Sequence, residues 1–83
     1  MTTEHQLIPL SYPIQVDGVT VKQLTLRRPK VRDMLAVEKN AYSDAEKEIT
    51  LFANLCEVPP ASLHDLDMAD YAKLQQHYHT FLS

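Results

Sequence analysis

From Ile8 to Leu26 the chain alternates apolar and polar residues: Ile8, Leu10, Tyr12, Ile14 and Val16 lead to Asp17-Gly18, and Val19, Val21, Leu24 and Leu26 follow it. A period of two places alternate side chains on one face of a strand, so this stretch reads as two strands, each with one oily side. Asp17-Gly18 suits a two-residue type I′ turn, whose central positions both need positive φ. Val16 then faces Val19, and Ile14 faces Val21. Beyond Val21 the alternation slips by one residue. A bulge at Lys22-Gln23 in the second strand would restore a single apolar face, with Tyr12 opposite Leu24 and Leu10 opposite Leu26. Pro9 and Pro13 fall on the other parity and cannot donate to a ladder, which marks the first strand as an edge. A hairpin over about residues 7–27 is the result. Alone it is marginal in water, so its apolar face needs cover from the rest of the chain.

The period then changes to that of helices. Pro29 suits the first position of a helix running over about 29–40, with Val31, Met34 and Leu35 as its apolar stripe, Val37 and Ala41 at the margin, and Asn40 as its stop. Ser43-Asp44-Ala45-Glu46 is a capping box that opens a second helix over about 44–56. Ala45, Ile49, Phe52, Ala53 and Cys56 form its stripe, and Leu51 and Leu55 widen it until the helix reads as central. Glu57-Val58-Pro59-Pro60 ends it, and a short loop follows. Asp67 is the expected N-cap of a third helix over about 68–82, with Leu66 and Tyr71 as a staple and Tyr71, Leu74, Tyr78, Phe81 and Leu82 on its buried side. The expected architecture is α+β, a single domain over 1–83 in which a bulged N-terminal hairpin packs on three helices.

At 83 residues the chain sits near the size at which a core supplies only ~3–5 kcal/mol, and association with a partner or with itself is a natural supplement. Charge is unevenly placed. Residues 1–32 carry Lys22, Arg27, Arg28, Lys30 and Arg32 against Glu4 and Asp17, whereas residues 33–83 carry nine acids against Lys39, Lys47 and Lys73. The single cysteine, Cys56, allows no intramolecular disulfide and no cysteine-based zinc site. Residues 1–6 lack the regions of a signal peptide, and no apolar run approaches the ~18–20 residues of a membrane span, so a soluble protein of a reducing cytoplasm is expected.

Catalytic patterns are missing. Gly18 is the only glycine and belongs to the hairpin turn, which leaves no loop to cradle a nucleotide phosphate. His77 and His79 stand two apart and do not share a helix face, and neither they nor His64 gain the partners of a metal site. Ser43, Ser62 and Cys56 have no base in a recognisable order. We expect no enzyme, no cofactor and no metal. The run Arg27-Arg28-Pro29-Lys30-Val31-Arg32 could grip phosphates, but no aromatic interleaves it, the chain as a whole is acidic, and Arg28 and Arg32 can pair with Asp33 or with acids of the third helix. Nucleic acid and membrane are not expected partners.

The order of these features resembles the tail assembly chaperones of Mu-like and related contractile-tailed phages. It lies in an apolar first strand, Asp17-Gly18, the run Leu24-Thr25-Leu26-Arg27-Arg28-Pro29, then Val31-Arg32-Asp33, and Leu66 through Asp70-Tyr71. The resemblance covers most of the chain. It implies a protein that binds the long, aggregation-prone tape measure protein in the host bacterial cytoplasm until tail tube subunits assemble around it. Such families often make a longer, frameshifted product that links the tape measure to the tube protein. Arg28, Arg32, Tyr78 and Phe81 are the expected contacts with the client. An oligomerising adaptor or an antitoxin-type binding protein would share much of this pattern.

Overall fold

The computed structural model describes residues 5–39 and 43–83. Strands β1 (His5–Val16) and β2 (Val19–Arg27) form a two-stranded antiparallel sheet. Helices α1 (Val31–Glu38), α2 (Asp44–Cys56), a four-residue α3 (Pro60–Leu63) and α4 (Met68–Phe81) follow in order. The α+β architecture expected from the alternating and helical periods is the one observed.

The turn between the strands is as its residues require. Asp17 and Gly18 both have positive φ, 52° and 80°, and Val16 pairs with Val19 and Ile14 with Val21. The bulge differs from the expectation. Pairing resumes at Pro9 with Gln23, then Ile8 with Leu24 and Gln6 with Leu26, so the extra residues lie in β1, at Leu10 through Pro13, and not in β2. Tyr12 does not meet Leu24, nor Leu10 Leu26; Tyr12 is exposed. The parity change at Lys22-Gln23 is real, since both are exposed between half-buried Val21 and buried Leu24. Two causes put the excess in β1. Pro9 and Pro13 have no amide to give a ladder, and two of the three amides between them are taken by a helix, since Ser11 N and Tyr12 N donate to the Asp70 carboxylate of α4 at 2.9 and 3.0 Å.

The N-caps of α2 and α4 follow the sequence closely. Ser43 Oγ accepts from Glu46 N while Glu46 Oε1 accepts from Ser43 N, each at 3.2 Å, which completes the capping box of α2. Asp67 Oδ2 accepts from Ala69 N at 2.9 Å at the start of α4. At the far end of α2, Glu57 adopts a left-handed conformation, φ 59°, and Val58 N bonds Ala53 O, so the helix closes in a Schellman pattern before the prolines. Pro60 then opens α3, where a plain loop is the expectation. The turn forms because Pro at N1 is pre-set for it and Leu63 gains a buried site.

The core joins Ile8, Leu10, Ile14, Leu24 and Leu26 of the hairpin to Phe52, Ala53, Leu55 and Cys56 of α2, with Leu63, Leu66, Leu74 and Phe81 closing it from the C-terminal side. Phe52 is flanked by Tyr71 and Tyr78 with ring centroids 5.7 and 5.3 Å away, tilted geometries that suit aromatic quadrupoles. α2 is therefore central, as its broad stripe predicts.

Candidate partner-binding surface

The basic run lies at the corner between β2 and α1, and one residue organises it. Asp33 is buried; its carboxylate accepts two bonds from the Arg27 guanidinium, Nη2 to Oδ1 at 2.7 Å and Nη1 to Oδ2 at 3.0 Å, and a third from Lys30 N at 2.8 Å. A two-pronged guanidinium bond of this kind fixes orientation as well as charge. The Arg27 bond, opposed by burial and aided by the Lys30 amide, holds the Asp33 carboxyl below its ordinary range. Arg27 is thus the hydrogen-bonded partner of Asp33, and Arg32 acts on it through its charge. The same bonds correct the start of the helix. Lys30 is the N-cap and Pro29 stands outside the first turn, because the Asp33 carboxylate satisfies the Lys30 amide.

Anchoring Asp33 inward turns α1 over. Asp33 and Val37, one turn apart, are its buried residues. Val31, Met34 and Leu35, expected as the core stripe, are instead 71%, 50% and 53% exposed. Asn40 and Ala41, the expected stop and margin, lie outside the described residues. Glu38 of α1 pairs with Lys47 of α2 at 3.1 Å. Beneath that pair, Met34, Val37, Leu51, Phe52 and Tyr78 line a shallow cleft of about 230 Å³.

The expected contact residues divide between surface and core. The Arg28 guanidinium lies 5.6 Å from the centre of the Phe81 ring, within cation–π range, so these two are brought together. Phe81 itself is buried in the core cluster. Tyr78 is half-buried beside Phe52, and Arg32 is exposed on α1. What sequence reasoning missed is the exposed α1 face. The signal was present in Asp33 and Val37, which share a face that an acid following Arg27 can pull inward.

The remaining polar clusters hold the fold. Burial would raise the Asp70 carboxyl, but the Ser11 and Tyr12 amides and the ammonium of Lys73 overcome it and keep the group below its ordinary range. Lys73 Nζ also donates to Pro9 O at 3.0 Å and Ser11 Oγ at 3.1 Å. Tyr71 donates its hydroxyl to Glu48, which also accepts from Gln75 Nε2 at 3.0 Å; burial and that carboxylate push the Tyr71 phenol up. Burial pushes the Cys56 thiol up to about 12. His77 bonds Gln6, and His79 lies edge-on to Tyr78. Among the described residues no group of three or more His, Cys, Asp or Glu could hold a metal ion, and no helix is long and apolar enough to cross a membrane.

Residues 7–83 match the family described as "Phage tail assembly chaperone proteins, E, or 41 or 14". The chain belongs to the phage tail assembly chaperone family. No curated protein and no solved structure matches it. The family match spans all of β2 and every helix, and it begins two residues into β1. For a phage tail assembly chaperone, the corner at Arg27-Asp33 and the outward face of α1 are thus parts of the family's own domain and not an appendage to it.

Proposed function

We propose that this chaperone binds the tape measure protein of its phage or prophage in the host bacterial cytoplasm and keeps it soluble until tail tube subunits assemble around it. The family match over residues 7–83 carries this reading. The exposed apolar residues of α1 support it, because a client that is long and aggregation-prone must be covered by apolar surface that the holder can afford to expose. The task needs no catalysis. The tail tube protein is a further candidate partner, and Arg28, Arg32, Tyr78 and Phe81 remain proposed client contacts, with Phe81 acting beneath Arg28.

The test is co-expression with the tape measure protein of the same genome, followed by separation of soluble and pelleted material. The client should move from pellet to supernatant and co-purify with the chain. Equal precipitation with and without it would refute the proposal.

A further inference from the structure

We propose that the outward face of α1 is the client-docking surface, and that it takes an amphipathic helix whose apolar stripe is flanked by acidic residues. This rests on the chaperone reading above and specifies which face acts and which chemistry it selects.

The shape argues for a helix as the ligand. Val31 and Leu35 are four residues apart and Met34 lies beside them, so the three form a short ridge along one helix face. Such ridges fit the grooves between side chains of another helix. Met34 stands at the lip of the cleft that reaches Leu51 and Tyr78, so a ridge and a hollow lie side by side, and an apolar client side chain can enter the hollow. Methionine adapts its shape at low cost, which suits a holder that meets successive segments of a long client.

The charge argues for acids on that helix. Both acids of α1 are already engaged, Asp33 by Arg27 and Glu38 by Lys47. Lys30, Arg32 and Lys39 are exposed around the ridge. Glu48, bonded by Tyr71 and Gln75, adds a further acid at the cleft, and against it Lys30, Arg32 and Lys39 still leave this face net positive beside its exposed apolar side chains, in a chain of net charge −3. Complementary acids on the partner would steer it and fix its orientation, while basic segments would be rejected.

A photo-crosslinking amino acid placed at Leu35 tests this, with a second placed at exposed Thr20 on the hairpin as control, in full-length chain co-expressed with the tape measure protein. Leu35 should crosslink to the client in segments that combine helical apolar spacing with Asp or Glu, and Thr20 should not. Arg32→Gln with Lys39→Gln should weaken the purified complex several-fold at low salt with the chain still folded by thermal unfolding, and added salt should narrow the gap. A soluble complex that crosslinks at Thr20 but not at Leu35 would overturn the surface and leave the chaperone reading standing. Crosslinks between two copies of this chain, or to basic client segments, would overturn the assigned partner. Absence of any complex with the unmodified chain would remove the chaperone reading and this surface together.

Discussion

The Asp70 carboxylate lies 2.9 Å from the backbone amide of Ser11, tying the first turn of the last helix to the bulge of the first strand across 59 residues of sequence. The group is fully buried and also takes the Tyr12 amide and the Lys73 ammonium. A buried carboxylate with this many donors replaces the ladder bonds that β1 forgoes between Pro9 and Pro13.

Replacing Asp70 should therefore cost more than replacing a cap. Asp70→Ala leaves the Ser11 and Tyr12 amides without their acceptor and removes the ion-pair partner of Lys73, and a loss on the order of 3 kcal/mol is expected in denaturant unfolding. Asp67→Ala, three residues earlier on the same helix, removes one exposed capping bond and should cost about 1 kcal/mol. Equal losses would contradict the role assigned to Asp70.

Two positive-φ positions should respond differently to substitution. Gly18 sits at φ 80° with open space around it, so Gly18→Ala meets no atom but takes a strained backbone, and about 1 kcal/mol should be lost. Glu57 already bears that strain at φ 59° as the C-cap of α2. Glu57→Gly should be neutral or stabilising by up to about 1 kcal/mol. Thermal unfolding of the two variants decides it.

How much of this was legible in the sequence follows the range of the interactions. The turn at Asp17-Gly18 and the caps at Ser43 and Asp67 are set by neighbours within three residues, and all are found where the residues place them. The position of the bulge depends on Asp70, and no local pattern names so distant an acceptor. The facing of α1 depends on Arg27 drawing Asp33 inward, which outweighs three apolar residues on the other side. That same contact makes the candidate surface, so the α1 stripe, expected in the core, is the feature most suited to binding.

Acid should weaken the fold through Asp33 and Asp70. Both carboxyls are lowered in the folded chain, so their contribution is complete above the unfolded value of about 3.9 and is lost as pH falls through the folded values. Urea midpoints should hold steady down to about pH 5 and then decline, and Asp33→Asn with Asp70→Asn should flatten the decline. A midpoint constant from pH 5 to well below the carboxylate range would contradict the assignments.

Cys56 offers a reporter of the core. Its thiol is buried and raised to about 12, so thiol reagents at mildly alkaline pH should react slowly with the folded chain and quickly in denaturant. Because the unfolded thiol ionises near 8.5 and the folded one does not, stability should fall as pH rises past about 8.5, with the raised Tyr71 phenol adding to the loss above about 10. Prompt labelling of the native chain would show that the C-terminal end of α2 is open.

The central claim is that this domain holds an aggregation-prone client by apolar surface, and dilution of denatured tape measure protein into buffer with increasing amounts of the purified chain tests it most directly. Light scattering should fall in proportion to added chain and level off at a fixed ratio, and Leu35→Asp should be less effective. Scattering that is unaffected at every ratio would contradict the account.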